Sequence, residues 1–325
     1  MMQTITLDEI EAAARIVYTE MQATPQYCWP LLCERLGTEV WVKHENHTPI
    51  GSFKIRGGLV YFANLAKSSE MPKGIVSATR GNHGQSVGFA ARRYGIPATI
   101  LVPHGNSVEK NAAMRAFGVQ LIEHGEDFQA AREHATDLAH EKSLKMISSF
   151  DPLLVTGVAT YSLELLRAVK DLDVVYVPIG LGSGICGMLA VRDALELNTE
   201  IVGVVSAHAN TYAKSFVSRS PVESTVSTKI ADGIDCRVPE QSALDLIWKG
   251  VERIVQVSDT EIAESMRIMY ECTHNVCEGA GAAAIAAALQ ESSKNKGQKV
   301  AVIASGGNVD RDVFTKILNG ENFVD

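Results

Sequence analysis

The stretch Gly51-Ser52-Phe53-Lys54-Ile55-Arg56-Gly57-Gly58 lies between two runs of different character. Before it, Glu39-Val40-Trp41-Val42-Lys43 reads as a strand; after it, Leu59-Val60-Tyr61-Phe62-Ala63 reads as a helix. Lys54 is flanked by an aromatic and a β-branched residue, an odd place for a solvated charge. A lysine on a desolvated wall loses pKa and becomes a nucleophilic amine, the state needed for a Schiff base. A surface lysine beside a glycine-rich turn is the plainer reading, and the octapeptide alone leaves both open.

Outward from this stretch the composition is that of an ordinary globular protein. The 325 residues suffice for one large or two modest domains. Hydrophobic content of 46% with 21% charged residues fits a soluble chain. A net charge of -8 without basic runs argues against nucleic acid or an anionic membrane as partner. Cys28, Cys33, Cys186, Cys236, Cys272 and Cys277 form no Cys-x-x-Cys pair, which suits reduced thiols in a cytoplasm. Met1 to Ile10 lacks a basic segment followed by an apolar core, so no secretory signal is expected. No apolar run approaches the roughly 20 residues of a membrane span. The expectation is a soluble cytoplasmic protein.

Thr6-Leu7-Asp8-Glu9 is a capping box that opens a helix through about Met21. Pro25 and Pro30 break the chain before a short helix, Leu31 to Leu36. From Lys73 strands and helices alternate: strands at Gly74 to Ala78, Ala98 to Pro103, Val119 to Glu123 and Lys145 to Ser148, with helices at Gln85 to Tyr94, Ser107 to Phe117 and Asp127 to Ser143. A second series follows, with helices at Val155 to Val169, Ile185 to Leu197, Asp259 to His274 and Gly279 to Gln290. Its strands are Asp173 to Pro178, Glu200 to Ser206, Ile254 to Val257 and Lys299 to Ala304, and Ser218 to Asp235 is expected to be loop-rich. Such alternation means βαβ units and parallel sheets. Two α/β lobes are predicted, the smaller inserted in the larger, with ligands outside the carboxyl ends of the strands.

Three further glycine-bearing segments end predicted strands. Gly180-Leu181-Gly182-Ser183-Gly184-Ile185-Cys186-Gly187 starts a helix, and its backbone N–H groups suit a phosphate. It also matches the dinucleotide pattern Gly-x-Gly-x-x-Gly, but the next strand ends Val205-Ser206-Ala207-His208, without the carboxylate that a ribose would require. A purely structural turn is the other alternative. Gly81-Asn82-His83-Gly84-Gln85 turns from strand into helix, where orphan N–H groups suit a carboxylate. Ser305-Gly306-Gly307-Asn308 ends the apolar strand Val300 to Ala304. The spacing of His44-Glu45-Asn46-His47 is not that of a zinc protease, and no metal site is expected there.

His44-Glu45-Asn46 with the lysine stretch, followed in order by the three glycine segments, resembles the fold-type II pyridoxal-phosphate enzymes, and within them most closely the serine/threonine dehydratases. The resemblance covers nearly the whole chain. It implies a two-lobed parallel-sheet α/β fold of the tryptophan synthase β-like kind, with residues 1–62 and 152–325 in a large cofactor-binding domain and 63–151 in a small one. It implies pyridoxal 5'-phosphate as cofactor, carried covalently by the catalytic Lys54. Phe53, Asn82, Gly180, Leu181, Gly182, Ser183, Gly184 and Ser305 would also meet the cofactor, Asn82 at its 3-hydroxyl oxygen and Ser305 at its pyridine nitrogen. The family's loop is usually richer in glycine, so Leu181 and Ser183 are departures. Thr79, Arg80, Gly81, Asn82 and His83 would meet the substrate, with His83 packed at the helix start rather than acting as a base. Related dehydratases and racemases commonly have serine where Arg80 stands.

Some members hold a cation through carboxylates that Ala207 to Ala213 lack, so no metal is expected. Glu278 matches an acidic residue of the family's pocket, although a helix cap explains it equally well. Only Val309 to Asp325 follows the last motif, so the regulatory domain of some threonine dehydratases is not expected. The implied activity is an ammonia-lyase that removes water and then ammonia from threonine or serine to give a 2-oxo acid, in a homodimer. The alternatives are a dehydratase of another β-hydroxy amino acid such as 3-hydroxyaspartate, an amino-acid racemase, a β-replacement synthase, or a non-catalytic sensor that kept the pocket.

Overall fold

The computed structural model describes residues 4–68, 71–321 and 323. The first three residues of the Met1–Ile10 stretch, and residues 322, 324 and 325 of the chain end, lie outside them. Thr6 and Glu9 cap the first helix reciprocally, the Thr6 Oγ1 accepting from Glu9 N–H at 3.3 Å and Glu9 Oε2 accepting from Thr6 N–H at 2.8 Å. The elements then run α1 (Leu7–Val17), β1 (Gln26–Cys28), α2 (Pro30–Leu36), β2 (Glu39–His44), α3 (Lys54–Leu65), β3 (Ile75–Ala78) and α4 (Asn82–Arg93). Next come β4 (Ala98–Val102), α5 (Val108–Ala116), β5 (Gln120–Glu123), α6 (Phe128–Lys142), β6 (Lys145–Met146), α7 (Pro152–Ala168), β7 (Val174–Pro178) and α8 (Ser183–Ala194). The rest is β8 (Glu200–Ser206), α9 (Thr211–Ser218), α10 (Gln241–Gly250), β9 (Arg253–Val257), α11 (Asp259–Thr273), α12 (Gly279–Gln290), β10 (Lys299–Ala304) and α13 (Arg311–Leu318).

Two sheets result. The larger has the order β1-β2-β10-β7-β8-β9, parallel except for β1; the smaller has the order β5-β4-β3-β6, parallel throughout. Strand alternation sends side chains to opposite faces. Val175 and Val177 join one apolar cluster with residues of α7 and α8, while Val174 and Tyr176 join another with α11 and α12. The small sheet repeats the arrangement, with Ile75 and Ile100 packed on α4, and Val76 and Leu101 on α6. Both faces of each sheet are covered, as parallel sheets require.

The structure departs from the sequence reading locally. α3 begins at Lys54 rather than near Leu59, because Phe53 is already in the right-handed helical region (φ -58°, ψ -18°). The residues between Pro25 and Pro30 form β1, an edge strand paired antiparallel to β2. Short amphipathic helices α9, α10 and α13 were not anticipated, whereas the stretch expected to be loop-rich, 218–235, is largely irregular once α9 ends at Ser218. Among the described residues no helix is long and apolar enough to cross a membrane.

Candidate active site

All four glycine-bearing segments follow strands β2, β3, β7 and β10 at their carboxyl ends, and they meet around one cavity of about 540 Å³. The lysine stretch is fastened to the last motif by an antiparallel bridge, Ser52 with Gly306. Phe53 N–H donates to Ser305 O at 3.1 Å, and Gly307 N–H donates to Gly51 O at 2.9 Å. From the other side Ser86 Oγ donates to Lys54 O at 2.6 Å. Lys54 therefore starts α3 between two fixed segments. Its Nζ lies 3.4 Å from Ser183 Oγ and 5.0 Å from the centre of the Phe53 ring. Desolvation is the only resolved influence on this amine, and it pushes the pKa down to about 8.

Behind Lys54 lies a buried ionic quartet. The Arg56 guanidinium is fully buried and donates to Glu45 (Nε–Oε2, 2.7 Å) and Glu164 (Nη1–Oε1, 2.6 Å). Lys43 Nζ reaches Glu164 Oε2 at 2.6 Å and Thr24 O at 2.7 Å. Glu45 belongs to the His44–His47 segment, whose other side chains are also engaged. Trp29 Nε1 donates to His44 Nε2 at 2.9 Å, and His47 Nε2 lies 2.5 Å from Asn275 Oδ1. Among the described residues no group of three or more His, Cys, Asp or Glu is arranged to hold a metal.

Two helix N-termini open into the cavity. At α8 the capping residue Gly182 has φ +100°, and a Cβ there would meet Ala243 Cβ at 2.6 Å. No side chain caps this helix, and its first helical bond is Cys186 N–H to Gly182 O at 3.0 Å. The amides of Gly182, Ser183, Gly184 and Ile185 are therefore the orphan donors of the helix start. At α4 the capping residue Gly81 has φ +153°, and a Cβ there would run into the Lys110 side chain. Thr79 Oγ1 accepts from Gly81 N–H at 2.9 Å, which leaves the amides of Asn82, His83 and Gly84 as the orphans at this end. His83 is buried with an unpartnered Nε2; burial, aided by the nearby Lys54 charge, lowers its pKa to about 3, so the imidazole is neutral.

Charged side chains ring the α4 end. Arg80, 34% exposed, reaches Asp235 at 3.3 Å. Burial raises the Asp235 pKa more than the Arg80 charge lowers it. Lys110 is buried and lies 2.8 Å from Asp232 Oδ2 and 3.1 Å from Glu278 Oε2. Burial disfavours the charged form of this lysine, but the two carboxylates outweigh it and raise its pKa. Glu278 stands at the N-cap position of α12, yet its side chain makes no cap bond. It turns to the cavity, where Oε1 accepts from Asn82 Nδ2 at 2.6 Å; burial pushes its pKa up against the opposing Lys110 charge, and the Asp232 charge adds to the rise. Asn308 Nδ2 donates to Asn82 Oδ1 at 2.8 Å, and Ser305 Oγ has only a long bond to Ala280 O, 3.4 Å.

All the residues expected from the sequence to meet cofactor or substrate line this one cavity, from Phe53 and Lys54 to Ser305. Lys110, Asp232 and Asp235 line it too and were missed. They stand in no motif, and nothing local marks them, since their partners are distant in sequence.

The family described as pyridoxal-phosphate dependent enzyme matches residues 17–306. The chain is 33% identical over 316 residues to L-threonine ammonia-lyase of Thermotoga maritima, an alignment covering 97% of this chain and 78% of the relative. Its fold is similar to the processed form of threonine deaminase isoform 2 from Solanum lycopersicum (TM-score 0.86, 29% identity, covering 97% of this chain and 94% of that one). It is also similar to maize serine racemase (TM-score 0.89, 26% identity, covering 98% of each chain). With this fold, and with its lysine stretch and glycine motifs gathered on one cavity, the chain belongs to the fold-type II pyridoxal-phosphate dependent enzymes.

Proposed function

We propose that this enzyme is an ammonia-lyase that converts threonine or serine to a 2-oxo acid and ammonia, working as a homodimer in the cytoplasm. The observation that carries the reading is Lys54, an amine brought to a pKa of about 8 by burial and set in a cavity into which two anion-suited helix starts open. The similarity to proteins named for threonine ammonia-lyase and threonine deaminase supports the substrate class.

The residues present fit the cofactor. Backbone donors at the α8 start suit a phosphate, and Gly182 allows the positive φ and the close approach to Ala243 that this helix start requires. Ser305 Oγ, weakly engaged by Ala280, is open to the ring nitrogen, and Asn82 Nδ2 keeps a second N–H for the ring hydroxyl. Phe53, Leu181 and Ser183 would complete the walls around Lys54. When bound, the cofactor supplies an electron sink that labilises bonds at the amino acid's α-carbon.

The chain's own residues would do the rest. The amides of Asn82, His83 and Gly84, with the Thr79 hydroxyl, would hold the α-carboxylate, and Arg80 adds positive charge beside them. Lys54 Nζ, freed as a neutral amine, would take the α-proton. A neutral Ser305 hydroxyl cannot protonate the ring nitrogen as a carboxylate would, which favours loss of the β-hydroxyl over chemistry through a long-lived carbanion. A guanidinium such as that of Arg80 would be a poor proton carrier on the face opposite the lysine. Residues 1–62 with 152–325 form the large lobe in this reading and 63–151 the small one, so the Arg80–Asp235 and Lys110–Asp232 pairs span the cleft.

The test is 2-oxo acid formation by cofactor-loaded protein from threonine, serine and 3-hydroxyaspartate, before and after exhaustive chelation. Turnover of threonine or serine that survives chelation is expected. No 2-oxo acid from any of the three would refute the reading.

A further inference from the structure

Neither Tyr161 nor Tyr212 lines the cavity, yet both hydroxyls reach the glycine loop from behind. Tyr212, fully buried on α9, donates to Leu181 O at 3.0 Å and accepts from Glu240 N–H, also at 3.0 Å. An amide N–H can only donate, so the phenol's single proton must be the one directed at Leu181 O. Burial raises the pKa of this phenol well above its usual value, which keeps that proton in place. Among the described residues no cis peptide occurs, and in a planar trans peptide the C=O and the following N–H point in opposite directions. Holding the Leu181 carbonyl back therefore turns Gly182 N–H away from Tyr212. Tyr161 does the same, at 3.2 Å, for the peptide joining Gly184 to Ile185. Gly184 lies inside α8, where its carbonyl also has a helical donor, so Tyr161 has the smaller influence. The Tyr161 ring also packs edge-on to Phe53, with centroids 6.0 Å apart.

We infer that Tyr212, assisted by Tyr161, is a positioning residue that presets the glycine-loop amides toward the cofactor's phosphate. Glycine peptides rotate easily, and a loop with φ +100° at Gly182 has little of its own to fix the plane of the preceding peptide. The phenols supply that restraint without placing a charge near the phosphate. The inference rests on the phosphate lying at the α8 start, as proposed above.

The experiment measures dissociation constants of cofactor-free protein for pyridoxal 5'-phosphate and for pyridoxal, which lacks the phosphate. Both ligands can meet Lys54, so their difference isolates the loop. Tyr212→Phe keeps the ring and should weaken pyridoxal 5'-phosphate about tenfold while leaving pyridoxal unchanged, a difference of about 1.4 kcal/mol. Tyr161→Phe should show the same selectivity at a few-fold. Equal losses for both ligands, or none for either, would overturn the inference and leave the tyrosines as packing residues. If wild type itself shows no preference for the phosphorylated ligand, the placement of the phosphate fails instead.

Discussion

The two helix starts that share the cavity are built on opposite plans. At α8 the donors are peptide groups, the side chains behind them are neutral phenols, and Lys54 is the charged group at hand. At α4 the same kind of helix start is ringed by Arg80, Lys110, Asp232, Asp235 and Glu278, paired across segments remote in sequence. Directional, buried hydrogen bonds suit a ligand that stays. Ion pairs that are partly exposed and long, such as Arg80–Asp235, can be exchanged for a ligand that comes and goes. One structural device, the helix N-terminus, is thus tuned for long or short residence by what stands behind it.

Lys54 is what the two plans share, and Lys54→Ala should have the largest effect. Turnover should fall by on the order of 10³-fold or more, with loss of the yellow colour of lysine-bound cofactor. Non-covalent binding of pyridoxal 5'-phosphate at the α8 start should remain measurable by equilibrium dialysis. Full activity would defeat the reading of the whole site.

Exchanging the glycines separates the two ends. Gly182→Ala and Gly81→Ala each force a side chain into positive φ, at a cost of about 1–3 kcal/mol. Gly182→Ala should weaken the cofactor, and Gly81→Ala should raise KM for the amino acid with the cofactor affinity kept. The reverse pattern would show that the ends have been assigned the wrong way round.

A pH series tests the desolvation of Lys54 without any ligand. Its pKa is about 8 in the folded chain, against 10.5 for the free side chain. Above pH 10.5 the amine is neutral in both states and costs nothing; below pH 8 it is charged in both, and the folded state bears the full penalty. Stability should therefore rise between those values, by about 2 kcal/mol after allowance for the amine's access to the cavity. Urea denaturation of cofactor-free wild type and Lys54→Met should show the slope in the former and its removal in the latter.

Arg80→Ser should have the smallest effect, about 1 kcal/mol, because the side chain is partly exposed. KM for threonine, serine or 3-hydroxyaspartate should rise, and cofactor affinity should not. Unchanged kinetics on all three substrates would make the bond to Asp235 the whole role of Arg80. Brisk racemisation by the wild type would remove the argument from the missing serine.

What was legible in the sequence was local chemistry. Glycines at the ends of apolar strands mark turns whose backbone must approach a ligand, and Thr6 with Glu9 marks a helix start, because each signal is complete within a few residues. The strand alternation gave both sheets apart from β1, whose three residues hide between two prolines. Glu278 was open between cap and pocket until its side chain was seen bonded to Asn82 rather than to its own helix. Lys110 and Asp232 meet across a separation of 122 residues, and Tyr212 reaches back 31 residues to Leu181. Such partners carry no periodicity or spacing, so only the folded chain discloses them.

Lys43, Glu45, Arg56 and Glu164 sum to zero formal charge directly behind the reactive lysine. That balance has an evolutionary side. Loss of any one member strands a buried charge, at about 3–5 kcal/mol, so the quartet is closed to single-step drift. Rim residues such as Arg80 are exposed enough to change one at a time. Descendants of this chain can therefore diversify the amino acid they accept while inheriting unaltered the buried charges that anchor the first turn of α3.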